Sequence, residues 1–172
     1  LFDKKFKNIL SSKATLLYKV NSYLIKQRGK RIRPICTIIA SGLANNITSQ
    51  TFRAAVLIEL LHTATLIHDD IVDDAQIRRG ILSINTIWKN KTAVLTGDYF
   101  LAKGLKTAVQ NKDYDILELI SDVVEKIVEG ELTQIEKTKK LNLTEKDYFK
   151  IINLKTGSLF ECAFELGGIS AN

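Results

Sequence analysis

The chain has 172 residues, 45% of them hydrophobic, which is enough for one domain with a substantial core. One proline and nine glycines, separated by long amphipathic stretches, point to an all-α protein. No apolar run approaches the roughly 20 residues that span a bilayer. The start, LFDKKFKNIL, has no signal-peptide core, so a cytoplasmic protein without a transmembrane anchor is expected. The net charge is +6, and residues 1–33 hold ten Lys and Arg against one acid, Asp3. No recognition motif or aromatic comb accompanies them, so nucleic acid is not an expected partner. An anionic membrane surface, a small phosphorylated substrate or a solvated lysine-rich face each accounts for the cluster. Cys36 and Cys162 lie far apart among apolar neighbours and read as buried free thiols.

Residues 3–27 read as one amphipathic helix, with Phe6, Ile9, Leu10, Leu16, Leu17, Val20, Tyr23 and Leu24 at roughly helical spacing, ending at Arg28-Gly29. GKRIRP follows, Gly29 to Pro34, and Pro34 suits the first turn of a helix because its missing N–H is no loss there. Lys30 and Arg33, three apart, either converge on an anion at that helix start or are solvated. Asn45-Asn46 marks a loop, after which Thr48 or Ser49 caps a long helix.

That helix ends in HTATLIHDDIVDDAQIRRG, His62 to Gly80, which places four carboxylates within six residues and two arginines just beyond. At about 100° per residue, Asp69 and Asp73 share one helical face, and Asp70 and Asp74 a neighbouring one. Like charges at this spacing repel, so a neutralising cation is expected. Mg²⁺ fits, because it takes hard oxygen ligands from one or two carboxylates plus waters and phosphates. Arg78 and Arg79 would grip the same phosphates. The bland alternative is a solvated acidic helix end before a basic loop. Against it, Ile67, Ile71, Val72 and the run Ala54 to Leu61 make a mostly buried helix, where unpaired carboxylates are expensive. Back along the Asp69 face lie Thr65, His62 and Ile58, giving a small or apolar lining. His62 is either part of the site or a satisfied histidine, and His68 is given no role.

Ala75 to Lys91 reads as a loop, with a helix from Thr92 to about Gln110 in which Gly97 and Gly104 permit close packing. Asp98 either faces the metal site or makes an ordinary hydrogen bond. Asp113 or Asp115 begins the next helix, whose stripes Ile116, Ile120, Val123, Ile127 and Leu117, Val124, Val128 bury a broad face. Its GELTQ segment lets Glu131 and Gln134 project together, while Gly130 admits a neighbouring backbone. Thr144 caps a final helix that carries Lys155-Thr156-Gly157 inside an apolar run, where Lys155 snorkels to solvent or meets an anion and Gly157 offers a kink.

Together, GKRIRP, the DDxxD with its trailing RRG and the Lys155-Thr156 pair resemble the trans-isoprenyl diphosphate synthases of the polyprenyl synthetase family, with the texture of the long-chain octaprenyl and solanesyl members. The resemblance implies an all-α helical bundle of the isoprenoid synthase type and a homodimer. It implies addition of isopentenyl diphosphate to an allylic prenyl diphosphate. Asp69 and Asp73 match the Mg²⁺ ligands, Asp70 their support, and Arg78, Lys155 and Thr156 the allylic-diphosphate contacts. Lys30, Arg33, His62 and Arg79 match the isopentenyl diphosphate contacts. Ala64 and Thr65 stand where bulky residues would stop elongation early, which implies a long product. Arg28 stands where a second glycine is usual. No second aspartate-rich motif occurs in residues 1–172, so the expectation is the N-terminal half of a synthase domain, without its native start and with little activity alone. A non-catalytic subunit of a heteromeric synthase is the alternative. A terpene cyclase is disfavoured, since it has no isopentenyl diphosphate for the RRG and GKRIRP segments to hold.

Overall fold

In the computed structural model, residues 1–27 and 29–172 are described. Arg28, and with it the expected helix end and glycine replacement, lies outside them. Two helices, α1 (Phe2–Ile9) and α2 (Thr15–Lys26), replace the single helix expected over residues 3–27. The break has a local cause. Ser11 Oγ donates to the Asn8 carbonyl at 2.8 Å, and Ser12 Oγ accepts from the Ala14 N–H at 3.2 Å. Such side-chain bonds compete with the helical ladder. Across the turn, the buried Asn21 amide donates to the Leu10 carbonyl at 2.5 Å.

Helix α3 (Ile32–Ala44) starts after Arg31, which is left-handed at φ 54°, and Pro34 falls in its first turn as expected. Helix α4 (Ser49–Val72) is capped by Thr48, whose hydroxyl accepts from the Gln50 and Thr51 N–H groups while Thr51 Oγ1 accepts from Thr48 N. Every residue from Ala54 to Leu61 is buried, so α4 is enclosed on all sides. Ile58 and Leu61 join Ile120, Val123 and Leu166 in one core cluster. Val56, Leu60 and Ile67 join Phe6, Leu10, Val20 and Phe100 in the other.

The segment after α4 is not a plain loop. A short antiparallel hairpin pairs β1 (Ile77–Arg78) with β2 (Ile81–Leu82). Its turn residues Arg79 (φ 53°) and Gly80 (φ 79°) both have the positive φ that tight hairpins require. Helix α5 (Ile84–Gln110) therefore starts well before Thr92, with a kink at Lys89 (φ 71°, ψ 161°). Gly97 and Gly104 admit His68 and Leu57 of α4; an added Cβ would fall 2.3 and 2.4 Å from those side chains.

Helix α6 (Tyr114–Lys140) buries Ile116, Ile120, Val123 and Ile127, but Val128 is half exposed, so the second apolar stripe is narrower than expected. Asp113 precedes α6 without capping it, because its carboxylate is taken by Arg53 at 2.6 and 2.7 Å. The expected continuous final helix is broken into α7 (Glu145–Ile152), a π-helical turn (Asn153–Gly157) and α8 (Ser158–Ile169). Thr144 caps α7 reciprocally with Asp147. Cys36 and Cys162 are free thiols, Cys162 buried as expected but Cys36 only partly, and burial pushes the Cys162 thiol up to about 12. No helix among the described residues is long and apolar enough to cross a membrane.

Helix α8 packs on α3 through Gly167, where a Cβ would lie 2.5 Å from the Thr37 carbonyl, whereas at Gly168 it would meet nothing within 4 Å. Gly167→Ala is expected to destabilise by about 1–3 kcal/mol through overpacking against backbone. Gly168→Ala should be neutral or gain up to about 1 kcal/mol of helix propensity. Urea unfolding of the two variants checks the contrast.

Candidate active site

The last turn of α4 separates its carboxylates by direction. Asp70 is buried at 5% exposure, and Arg78 from the hairpin chelates it, with Nε 2.6 and 2.7 Å from its two oxygens and Nη2 2.5 Å from Oδ1. Asn85 reinforces the join by donating to the Asp70 and Ala75 carbonyls, each at 3.2 Å. Asp69, one residue earlier, is within reach of the charges of Glu131 on α6 and Lys155 in the π turn. Burial raises its pKa, as do the carboxylates of Glu131 and Asp73, while Lys155 and Arg78 oppose the rise. Asp73 is exposed at the helix C-cap, and its N–H donates to the Asp69 carbonyl at 2.8 Å. Among the described residues no group of three His, Cys, Asp or Glu side chains converges as a metal cage. Asp69 and Asp73 form a two-carboxylate, hard-oxygen pair whose mutual repulsion a cation would relieve. This suits an ion that completes its shell with water or phosphate.

Lys155 does not snorkel to solvent. Its Nζ lies 2.5 Å from Glu131 Oε2 and donates to Gln134 Oε1 at 2.9 Å, so the two α6 residues do project together. Gly130 makes that approach possible: a Cβ there would be 2.8 Å from Leu154 Cβ and 3.1 Å from Lys155 Cγ. Thr156, next in the π turn, is exposed.

Further back along α4 lies a basic cleft of about 420 Å³ lined by Gly29, Lys30, Arg31, Ile32, Arg33, Glu59, His62 and Arg79. Lys30, Arg33, His62 and Arg79, separated by up to 49 positions in the chain, are thus brought together. Arg33 Nη1 lies 3.1 Å from His62 Nε2. A guanidinium can only donate, so Nε2 accepts and the ring proton sits on Nδ1. The Arg33 guanidinium stacks over the Phe160 ring at 4.6 Å, and burial lowers its pKa. Arg79 reaches back over Gly29, where an added Cβ would displace its guanidinium, and donates to the Gln27 carbonyl at 3.2 Å.

Arg31 and Glu59 belong to this cleft although their residue types alone gave no reason to choose them. Arg31 Nη1 is 2.5 Å from Glu59 Oε1, and its guanidinium lies over the Phe6 ring at 4.5 Å. Glu59 is 5% exposed, and burial raises its pKa against the pull of Arg31, Arg33 and Arg79. The Nε donors of Arg31 and Arg33 and the Gln27 amide nitrogen are buried without hydrogen-bond partners among the described residues. Orphaned cationic donors around an open cleft are the complement of an anion.

Three other positions are placed differently from their neighbours. Ala64 is fully buried in packing against α1 and α5, and Thr65 turns its hydroxyl to the His62 carbonyl at 3.0 Å. An apolar cavity of about 260 Å³, walled by Leu57, Leu60, Leu61, Phe100, Leu101, Leu105, Ile120, Ser121 and Val124, lies further along α4 and is not lined by either. His68, given no role, sits over Gly97 with Nε2 3.5 Å from Asp98 Oδ1.

His62 is pushed down to about 3, first by burial and then by Arg33, Arg79, Arg78 and Arg31. An unfolded histidine titrates near 6.5, so the unfolded state takes up this proton first as pH falls. His62 therefore costs no stability above about pH 6.5 and removes stability progressively from there down to about 3. His62→Gln should flatten the acid limb of stability against pH over that window, and a ring titrating near 6.5 by NMR would contradict this.

A family model described as polyprenyl synthetase matches residues 14–172. The chain is 38% identical over 163 residues to an all-trans-nonaprenyl-diphosphate synthase (geranyl-diphosphate specific) of Rhodobacter capsulatus, covering 94% of this chain and 50% of that protein. It is 35% identical to the octaprenyl diphosphate synthase of Escherichia coli, with the same two shares covered. Its fold superposes with a TM-score of 0.94 on a polyprenyl synthase of Caulobacter crescentus crystallised with calcium and isoprenyl diphosphate, at 34% identity, over 99% of this chain and 52% of that one. The chain spans about half the length of the curated relatives it matches. By sequence and by fold, the chain belongs to the polyprenyl synthetase family.

Proposed function

We propose that the chain carries two diphosphate sites of a trans-polyprenyl diphosphate synthase, one at the Asp69 and Asp73 end of α4 and one further back beside Glu59 and His62, and that the full enzyme joins their ligands. The observation that carries this reading is the pairing of unlike sites on one helix. The Asp69 and Asp73 end carries mutually repelling carboxylates, while the cleft with Lys30, Arg31, Arg33 and Arg79 has an excess of positive charge and orphaned donors.

Isopentenyl diphosphate binds in the basic cleft, held by Lys30, Arg33 and Arg79. His62, kept neutral, fixes Arg33 without adding charge. The allylic diphosphate binds at Asp69 and Asp73, with Lys155, Thr156 and the Arg78 donors turned away from Asp70 around it. Mg²⁺ held by the two carboxylates would neutralise the diphosphate as negative charge develops on it. Lys155 adds a preorganised donor at the same place. The allylic C–O bond breaks, the double bond of isopentenyl diphosphate attacks the resulting carbocation, and a proton is lost. Carbocations react with water, which an apolar wall excludes. The cavity beside Leu57, Leu61, Phe100 and Ile120 offers the growing tail such a wall and favours a long product. Turnover by this chain alone is expected to be weak, since the relatives carry about as much chain again. A cytoplasmic homodimer belongs to the same reading, with the exposed Val94, Leu95, Leu105 and Val109 of α5 as its candidate surface.

Calorimetric titration with farnesyl diphosphate, with and without Mg²⁺, tests the assignment. Magnesium is expected to tighten binding by at least about tenfold, worth about 1.4 kcal/mol. Asp69→Asn/Asp73→Asn should abolish that gain. Equal binding with and without Mg²⁺, or an undiminished gain in the double variant, would overturn it.

A further inference from the structure

We propose that Glu131 is a positioning residue for Lys155: its carboxylate and the Gln134 amide oxygen hold the ammonium in place, leaving N–H donors for an incoming diphosphate. This rests on the diphosphate reading of the Asp69 flank. The ammonium donates to Gln134 Oε1 at 2.9 Å and is ion-paired with Glu131 Oε2 at 2.5 Å, a carboxylate oxygen that is buried and has no hydrogen-bond donor of its own among the described residues. Both acceptors come from one helical face three residues apart, so they hold the nitrogen from the same side.

The surrounding backbone is shaped to that contact. The π turn at Asn153–Gly157 carries Lys155 toward α6, and the approach is so close that Gly130 cannot bear a Cβ. Glu131 and Lys155 also lie near enough to Asp69 to act on its carboxyl in opposite directions. A lysine is a flexible point charge, and a free one loses most of its rotamer freedom when it meets a ligand. One already held in place loses less, which makes binding tighter.

The test is a double-mutant cycle read by calorimetry with inorganic diphosphate and Mg²⁺. The chains compared are the parent, Lys155→Met, Glu131→Ala and the double variant, with Glu131→Gln as the conservative control. Lys155→Met is expected to weaken binding about tenfold. Glu131→Ala should weaken it about fivefold when Lys155 is present and less than about twofold in the Lys155→Met background, because its effect runs through the lysine. Glu131→Gln, whose amide oxygen still accepts, should fall between. The same factor in both backgrounds, or tighter binding by Glu131→Ala, would overturn the role of Glu131. Should Glu131→Ala unfold, Glu131→Gln in both backgrounds gives the same comparison. Lys155→Met binding as well as the parent chain would instead overturn the diphosphate reading of this flank, and the role of Glu131 with it.

Discussion

The chelate between Arg78 and Asp70 is the contact on which the site's arrangement depends. A carboxylate at 5% exposure near the end of a buried helix needs a cation, and the hairpin beyond α4 supplies one. Removing one partner of such a buried pair costs about 3–5 kcal/mol, because the other is left uncompensated. Satisfying Asp70 folds the chain back on itself and fixes the tight turn at Arg79-Gly80. It thereby aims Arg79 across Gly29 into the cleft beside α3. The same chelate leaves Asp69 and Asp73 on another side of the helix, with Lys155 and Arg78 as the cations that act on Asp69.

Burial supplies the second constraint. Helix α4 is surrounded, so any charged group on it must be answered by a neighbour. Glu59 is answered by Arg31, Asp70 by Arg78, and His62 by losing its charge. The first brings Arg31 onto α4 from 28 positions away, and the second folds the hairpin back onto the helix end. The basic cleft is thus a by-product of how the core helix disposes of its polar groups. The residues left over, with unpaired donors or mutually repelling carboxylates, are those available to a ligand.

Much of this was legible in the sequence. The period of apolar residues and the scarcity of proline gave the all-α class. The cap was readable to within one residue, Thr48 or Ser49, because its interaction is local, and the Asp69 and Asp73 spacing because i and i+4 positions share a side of any helix; the pairing of Asp74 with Asp70 fails because α4 ends at Val72 and Asp74 turns to φ 49°. The break at Ser11-Ser12 was missed because apolar periodicity runs straight across it. The hairpin at residues 77–82 was missed because an Arg-Gly turn is a weaker signal than Asn-Gly or Asp-Gly. The π turn leaves no mark in side-chain period over so short a span. Arg31 and Glu59 were overlooked for a different reason: one sits in a basic run and the other in an apolar one, and only their contact across 28 positions gives either a role. A lone Glu in the buried Ala54 to Leu61 run was the available clue, since such a group demands a partner.

The central claim is that α4 carries two anion sites of different character that are filled at once. Phosphorus NMR of the chain, titrated first with isopentenyl diphosphate without metal and then with farnesyl diphosphate and Mg²⁺, tests it most directly. The account predicts that the second ligand binds while the signals of bound isopentenyl diphosphate persist. Displacement of the first ligand by the second, one for one, would mean a single shared site and would contradict it.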